Sequence, residues 1–257
     1  VEASIVAPFG ALEPDVAADL PPELVSALTY QGALYGIPLS LKSLALYVSD
    51  DLGEGHALTS LEDFEALAPT LPDGSYALAW EIDSTYASVA LFHAYGAELL
   101  DENARFGAAT PGGEAALAHL ARLVGDGVVP AEASGDLVRD LFRSGRAHAA
   151  ISGPWLAPDL PESLHYHVVP LPIVQAADDR PMVPYSTIDA AIIPAGSPHP
   201  ELARELALFL ASREGSVARA TAGHHIVAST SAWLDPSVAR DERLVAFHTA
   251  ALSATPM

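Results

Sequence analysis

The chain has 257 residues, of which 50% are hydrophobic, so it can bury a sizeable core as one large domain or two modest ones. Its formal net charge of −21 argues against nucleic acid or an anionic membrane surface as a partner, and no apolar run reaches the roughly 18 residues that span a bilayer. The absence of cysteine excludes disulfides, thiolate catalysis and zinc bound by thiolates.

The first half of the chain alternates strand and helix patterns. Ser60 and Asp63 have the spacing of a capping box that opens a helix, and apolar spacing after Gly113 indicates another helix that ends near Gly125. In chain order, the predicted elements are a helix over 23–28, a hairpin-like pair of extended segments over 29–40, a strand over 43–52, a helix over 60–68, a strand over 75–80, and helices over 85–100 and 114–127.

The second half continues this alternation. Its predicted elements are a helix over 136–144, strands over 147–152, 165–171 and 188–194, and helices over 200–212, 214–222 and 241–252. Strands that alternate with helices of about 10–15 residues are typical of an α/β fold with a largely parallel sheet. The loop over 172–186 is the strongest break in composition, which makes it the candidate crossing between two domains.

One tryptophan follows directly where a strand has ended. The small apolar residues over 147–152 are typical of a buried strand, Gly153 and Pro154 end it, and Trp155 comes next. Ligands of α/β sheets bind beyond the carboxyl ends of strands, so Trp155 is a candidate for the wall of a binding site. The alternative is that this side chain fills the edge of the core.

A second candidate set follows the strand that ends near residue 80. Glu81 and Asp83 are flanked by the aromatic residues Trp80 and Tyr86. Aromatic faces pack against the C–H faces of sugar rings and carboxylates accept hydrogen bonds from hydroxyls, so this mixture predicts a site for a neutral polyol. Asp83 or Ser84 could instead cap the next helix, and Trp80 could fill the core edge. Glu81 and Asp83 could also be the acid and base of a glycosidase, although such pairs normally flank the bond that is cleaved.

Two pairs of histidines raise the question of a metal site. His165 and His167 would share one face of a strand, whereas the adjacent His224 and His225 would point to opposite faces. Neither pair has an acidic partner at matching spacing, so structural or solvent-facing histidines are the simpler interpretation. The common nucleotide, hydrolase and metalloprotease motifs are missing from the sequence, which predicts neither a metal nor a cofactor.

Four ordered segments resemble a known family. They read YQGALYGIPLSLKSLALYVSDDL, LTSLEDFEAL, AHAAISGPWLAPDL and AAIIPAGSPHPELARELALFLASREGSVAR. In this order they are similar to segments of the extracellular solute-binding proteins of ABC sugar importers, and most similar to the maltose/maltodextrin-binding branch. The resemblance covers nearly the whole chain, and four segments in order are more specific than any one of them.

The resemblance implies an α/β, periplasmic-binding-protein-like fold with two lobes, joined by crossing segments near 38–45 and 183–190, and a ligand in the cleft between them. Compared with the family, the chain is expected to lack the N-terminal part of the first lobe and the C-terminal helices. The second lobe would then be nearly complete and the first lobe partial. The implied ranges are 1–42 and 185–237 for the partial first lobe, and 43–184 and 238–257 for the second lobe.

The resemblance also implies which residues contact the ligand. Trp155 corresponds to the family's stacking tryptophan on the second lobe, and Asp83 and Tyr86 fall where the maltose-binding branch keeps a carboxylate and an aromatic residue that contact the sugar. Lys42 lies in the first crossing segment, where that branch commonly has an acidic residue, so the identity of the sugar stays open. The full predicted ligand-binding set is Trp155, Tyr86, Asp83, Glu81, Trp80, Lys42 and Tyr185.

The function implied is capture of a maltose- or maltodextrin-like oligosaccharide for the membrane permease subunits of an ABC importer, with no catalytic residue. Such proteins are exported, so the expected location is periplasmic or extracellular, although the first residues show no signal peptide. The alternative is a self-associating module derived from this fold, with weak or no sugar binding. An apolar face left uncovered by a partial first lobe would favour a homodimer.

Overall fold

The computed structural model describes residues 5–52, 58–100 and 109–256. Its helices are α1 (Pro14–Asp19), α2 (Pro22–Ala27), α3 (Leu61–Leu67), α4 (Thr85–Ala94), α5 (Pro111–Gly125), α6 (Gly135–Arg143), α7 (Pro200–Ala211), α8 (Arg213–Gly223), α9 (Pro236–Ala239) and α10 (Glu242–Leu252). Its strands are β1 (Thr29–Tyr30), β2 (Ala33–Leu34), β3 (Gly36–Lys42), β4 (Ala45–Ser49), β5 (Tyr76–Ala79), β6 (Ala147–Ser152), β7 (Tyr166–Val169), β8 (Ile173–Val174), β9 (Arg180–Pro181), β10 (Tyr185–Ile192), β11 (Ile226–Val227) and β12 (Thr255–Pro256). Within these described ranges, no helix has the length and apolar character needed to cross a bilayer.

The chain divides into two compact units. The first unit comprises Val1–Lys42 and Thr187–Val245, and the second comprises Ser43–Ser186 and Ala246–Met257. The chain therefore passes between the units after residues 42, 186 and 245. The sequence placed the boundaries after residues 42, 184 and 237, and the assignment of these units to the two lobes of the family stays a prediction.

The sheet of the second unit is mixed. Its strand order is β5-β6-β4-β7, in which β5 and β6 are parallel whereas β4 runs antiparallel to both β6 and β7. In the first unit β3 is antiparallel to β10 and to β11. The predicted largely parallel sheet is therefore wrong. The alternation of strands and helices along a sequence does not specify which strands become neighbours, and here β4 is inserted between β6 and β7.

The two faces of β4 pack into different parts of the second unit. Leu46 belongs to the larger core, which it shares with buried residues of α3, α4 and α5. Tyr47 points to the opposite face, as successive residues of a strand do. Its fully buried ring lies 5.9 Å from that of Phe142, 5.5 Å from that of Tyr166 and 5.6 Å from that of Phe247, between centroids. We call these four side chains the aromatic cluster.

In the first unit, a half-buried carboxylate joins α1 to a distant segment. Asp19 accepts hydrogen bonds from the hydroxyl of Ser229 at 2.6 Å, the hydroxyl of Thr230 at 3.0 Å and the backbone N–H of Ser231 at 2.7 Å. Burial alone raises the pKa of Asp19, but these hydrogen bonds to the ionised form outweigh it and lower the pKa. The N-terminal segment is thereby tied to the end of β11 by bonds that need an ionised carboxylate.

Local signals predicted helix starts well and element ends less well. Both hydrogen bonds of the capping box between Ser60 and Asp63 are formed, each side chain accepting from the other residue's backbone N–H, which confirms the start of α3. The helix predicted over 85–100 ends at Ala94, because the chain turns at Gly96 with a left-handed φ of 71°. Helix α1 was not predicted, since its proline-rich and acidic surroundings are typical of a loop.

A buried histidine links α5 to α3 and to the residue that follows α4. His119 on α5 is completely buried. Its Nε2 lies 3.0 Å from Oε1 of Glu65 on α3, and its Nδ1 lies 2.9 Å from the hydroxyl of Tyr95. A carboxylate can only accept, so Nε2 carries the proton of the neutral ring and Nδ1 accepts from Tyr95. Burial lowers the pKa of His119, as does the nearby Arg122, while Glu65 partly offsets this effect.

We expect the neutral form of His119 to make the stability of the second unit pH-dependent. Because the pKa is lower in the folded state, the unfolded chain takes up a proton below about pH 6.5 that the folded chain does not. The free energy of unfolding should therefore fall as the pH drops below that value. Urea titrations at about pH 7.5 and about pH 5.5 measure the loss, which should be smaller in His119→Gln than in the wild type.

The control for this comparison is His199→Gln, which changes an exposed histidine and should keep the wild-type pH dependence. His225 and His248, whose pKa values are also lowered by burial, remain in all three proteins and leave a residual slope. Identical slopes for the wild type and His119→Gln would contradict the assignment.

Candidate functional site

The carboxyl ends of β5 and β6 meet at one edge of the second unit's sheet. The two strands run parallel, with Ala79 beside Ala150, so the residues that follow them emerge at the same place. β4 begins at this edge as well, because Ala45 is paired with Ser152. This is the position at which α/β sheets usually bind ligands.

A cavity of about 370 Å³ opens at this edge, within the second unit. Three residues of the predicted set line it together, namely Glu81 after β5, Tyr86 in the first turn of α4 and Trp155 after β6. The polar residues that line the cavity with them are Ser134, Asp136, Arg139, Ser152 and Asp159.

Trp155 forms an accessible wall of this cavity. Its side chain is 48% exposed, although the flanking Pro154 and Leu156 are buried in the short 3₁₀ helix Pro154–Asp159. The indole folds back over Gly153, where a β-carbon would lie 2.1 Å from the ring. Gly153 has an ordinary extended backbone, with φ −94° and ψ −177°, so glycine is needed here for space rather than for backbone freedom.

The turn that carries Trp155 is fastened to the aromatic cluster. The hydroxyl of Tyr47 donates a buried hydrogen bond of 2.8 Å to the carbonyl of Gly153. Because three other rings pack against the buried Tyr47 ring, the carbonyl has a well-fixed partner. Directly after the end of β6, this turn therefore projects the large side chain of Trp155 over the cavity.

Carboxylates surround a single guanidinium in this cavity. Nη1 of Arg139 lies 2.8 Å from Oδ1 of Asp136 and 3.7 Å from Oδ2 of Asp159, and its Nε lies 3.4 Å from Oδ1 of Asp140. Burial raises the pKa of Glu81, and repulsion by Asp83 raises it further. The cavity thus presents hydrogen-bond donors and acceptors next to an aromatic face, the combination that suits a sugar ring.

Trp80 does not take part in this surface. Its side chain is 0% exposed and belongs to the large core of the second unit. The prediction that Trp80 contacts a ligand is therefore corrected, and the alternative that it fills the core is what its burial supports. The physical reason is that Trp80 follows the last residue of β5 directly and turns inward, whereas the next residue, Glu81, turns to the cavity.

Asp83 does not line this cavity with Glu81, although it is near enough for its charge to affect Glu81. It is exposed and lines a different cavity of about 470 Å³, beside residues of α4 and α5. A glycosidase needs two carboxyl groups that flank one bond in one site. Glu81 lines the 370 Å³ cavity and Asp83 lines the 470 Å³ cavity, and this arrangement does not support the acid–base pair that the sequence suggested.

The remaining two predicted residues lie elsewhere. The ring of Tyr185 stands edge-on to that of His93 on α4, with centroids 5.2 Å apart, and its pKa is raised by burial and by Glu98. Nζ of Lys42, in the first unit, lies 2.9 Å from Oδ1 of Asp189 on β10. Neither Tyr185 nor Lys42 lines the 370 Å³ cavity.

Sequence reasoning missed Asp136, Arg139 and Asp159. Asp136 and Arg139 are three residues apart on α6, a spacing that usually marks an ion pair on a solvated helix face. In the sequence, this common ion-pair spacing is the only signal that Asp136 and Arg139 give. Asp159 joins them through the 3₁₀ helix that follows β6, a contact that depends on the tertiary fold.

One histidine of each pair lies beside an aspartate. Nδ1 of His167 lies 2.7 Å from Oδ1 of Asp50, and Nδ1 of His224 lies 3.9 Å from Oδ2 of Asp241. Among the residues that the structure describes, no three histidine, aspartate or glutamate side chains are grouped so that they could hold a metal ion.

We expect Gly153→Ala to displace the Trp155 ring without unfolding the protein. The added methyl group would overlap the indole, and a half-exposed ring can swing away at low cost. Iodide quenching of tryptophan fluorescence should therefore increase, while the melting temperature changes by only a few degrees. The same substitution in a Trp155→Phe background should leave quenching unchanged, because Trp80 and Trp233 are the tryptophans that remain. Unaltered quenching in the single variant would show that the ring does not rest on Gly153.

The chain matches the family model of bacterial extracellular solute-binding proteins over residues 2–246. It is 26% identical over 224 residues to the galactooligosaccharide-binding protein of Bacillus subtilis (strain 168), which covers 81% of this chain and 52% of that protein. It is 24% identical over 224 residues to the maltodextrin-binding protein MdxE of the same organism, covering 80% and 52%. A maltooligosaccharide ABC transporter solute-binding lipoprotein of Streptococcus pneumoniae serotype 4 is 27% identical over 203 residues, covering 71% and 46%.

A solved structure shows the same fold. The crystal structure of a cyclo/maltodextrin-binding protein complexed with maltotetraose matches with a TM-score of 0.83 at 24% identity, over 100% of this chain and 68% of that chain. The predicted α/β, periplasmic-binding-protein-like fold is thus confirmed. The chain spans about half the length of the curated relatives it matches, which are named as binding components and not as enzymes. By its match over residues 2–246, this chain belongs to the bacterial extracellular solute-binding proteins.

Proposed function

We propose that the 370 Å³ cavity of the second unit binds a sugar ring of an oligosaccharide, which the protein captures for the permease subunits of an ABC importer. The observation that carries this proposal is the half-exposed Trp155, held over a cavity whose rim is rich in carboxylates and hydroxyls. An exposed tryptophan ring lacks the favourable free energy that burial would give it. Stacking on a sugar ring would bury one face of the indole and provide that free energy.

The polar lining supports a neutral saccharide. Each sugar hydroxyl both donates and accepts a hydrogen bond, so it is matched by carboxylates such as Glu81 and Asp159 together with the guanidinium of Arg139. An anionic ligand would be repelled by these carboxylates and by a chain of net charge −21. The lining does not by itself distinguish a glucose ring from a galactose ring.

A maltodextrin-like ligand is the more specific part of the proposal. Two of the relatives are named for maltodextrin or maltooligosaccharide, and one is named for galactooligosaccharide. We therefore take maltotriose as the first ligand to test and a galactooligosaccharide as the second. The same names, with one lipoprotein among them, support an exported protein in the periplasm or outside the cell.

A self-associating module is the second candidate, and one observation favours testing it. Leu202, Leu206 and Phe209 lie at helical spacing on α7 and are 61%, 58% and 53% exposed. An uncovered apolar face of this kind can mediate a homodimer. Light scattering in concentrated solution should then report twice the mass of the 26.8 kDa chain, and a monomer at all concentrations would remove this candidate.

Trp155→Ala tests the proposed function directly. Loss of stacking and of buried ring area should cost about 2–3 kcal/mol of binding free energy, so the affinity for maltotriose should fall roughly 30- to 150-fold. The melting temperature should change little, because the large penalties for aromatic truncation, about 3–5 kcal/mol, belong to closed cores. Titration calorimetry and a thermal melt on the same variant measure both quantities.

Tyr30→Ala is the matched control, since it removes another exposed aromatic ring (41%) from a position outside the cavity. It should leave the affinity unchanged. A Trp155→Ala protein that melts many degrees lower and still binds with wild-type affinity would make Trp155 a core residue and would refute the proposal.

A further inference from the structure

The 470 Å³ cavity of the second unit has an apolar interior. Its volume lies within the range of small-molecule pockets, roughly 300–1,000 Å³. Val89 and Phe92, one turn apart on α4, line it together with Leu120 of α5, and these three residues are 1%, 7% and 8% exposed. Leu117, one turn before Leu120, also lines the cavity but is 54% exposed. A ligand that covers Leu117 and reaches this interior would therefore gain from the burial of apolar surface.

The serine hydroxyls of this cavity are engaged within the protein. The hydroxyl of Ser88 donates to the carbonyl of Ile82 at 2.6 Å, and that of Ser84 accepts from the backbone N–H of Ala87 at 3.4 Å. A hydroxyl has one proton, so Ser88 cannot donate to a ligand as well. None of the described residues that line the cavity is basic. The cavity thus lacks a cation such as Arg139 of the 370 Å³ cavity, and it is poorly suited to an anion or a sugar ring.

Two carboxylates lie at the rim of the 470 Å³ cavity. Asp83, just before α4, and Glu114, in the first turn of α5, both line it and are exposed. In the part of the chain that the structure describes, neither carboxylate is paired with a basic side chain. Their acceptor positions are therefore available to a cationic group on a ligand, and hydrogen bonds between charged groups are the stronger ones.

We propose that the 470 Å³ cavity binds a small cationic amphiphile, such as an alkyl or aryl amine. The apolar body of this ligand packs on Val89, Phe92 and Leu117, while its ammonium group binds at the rim beside Asp83 and Glu114. The combination of an apolar interior with an acidic rim and no basic lining residue carries the proposal. This site is separate from the cavity beside Trp155 and goes beyond the proposed oligosaccharide function, on which it does not depend.

The test is titration calorimetry with three probes that share one alkyl chain, namely octylammonium, octanol and octanoate. Octylammonium should bind most tightly. Octanol should bind roughly 5- to 20-fold more weakly, because it cannot form an ion pair with either exposed carboxylate. Octanoate should bind more weakly still, since the same carboxylates repel it. Equal affinities for the three probes, or no binding of octylammonium, would overturn the proposal.

Two variants separate the contributions of the rim and the interior. Asp83→Asn combined with Glu114→Gln should lower the affinity for octylammonium to near that for octanol, a loss of roughly 5- to 20-fold, and should leave octanol binding unchanged. Leu117→Asn should weaken all three probes by roughly 3- to 10-fold, because it removes an apolar wall. All three positions are exposed, so the melting temperature should change by no more than a few degrees.

Each variant has a matched control outside the cavity. Asp126→Asn combined with Glu132→Gln makes the same change in net charge at two exposed positions, and Leu137→Asn changes another exposed leucine (37%). Both controls should bind octylammonium with wild-type affinity. An equal loss in the two charge variants would show general attraction of a cation to a chain of net charge −21, and it would overturn the site.

Discussion

A single buried hydroxyl, that of Tyr47, donates a hydrogen bond to the carbonyl of Gly153 and so connects the core of the second unit to its candidate binding surface. The tyrosine ring is immobilised by Phe142, Tyr166 and Phe247, and the carbonyl opens the turn that carries Trp155. The same carbonyl also accepts a hydrogen bond from the backbone N–H of Leu156 at 3.2 Å, within the turn itself. The position of the accessible indole therefore depends on packing well below the surface.

The same turn shows how a site can be rigid and still accessible. Gly153 provides the space into which the indole folds, while Pro154 and Leu156 anchor the turn by burial on either side. The ring keeps about half of its surface free because its neighbours, and not the ring itself, hold the segment in place. A ligand that stacks on Trp155 would thus meet an ordered surface and would not need to order it.

In each of the two units, one basic side chain lies beside carboxylates. Arg139 is held by Asp136 and Asp159 in the second unit, and Lys42 by Asp189 in the first. The chain has 12 basic and 33 acidic side chains, and these ion pairs keep Arg139 and Lys42 close to negative partners. Paired charges of this kind offer donors and acceptors side by side, which suits hydroxyl groups better than a ligand with a net charge.

The sequence by itself determined most helix starts, the fold class and one wall of the candidate cavity. Capping residues such as Ser60 set the helix starts, alternation of strands and helices indicated an α/β fold, and Gly153-Pro154 after a strand placed Trp155 beyond its carboxyl end. These features follow from interactions between residues a few positions apart. Four ordered segments were sufficient for the resemblance to solute-binding proteins, which the family match over residues 2–246 supports.

Only the tertiary structure decided which of the candidates share a surface. Trp80 and Glu81 are adjacent, yet one is in the core and the other lines the cavity, because the chain turns directly after β5, where the backbone N–H of Ile82 donates to the carbonyl of Trp80 at 2.9 Å. The antiparallel insertion of β4 and the pairing of Lys42 with Asp189 join residues more than a hundred positions apart. Such contacts depend on strand order and register, which are set by the packing of the whole unit and leave no mark in a local pattern.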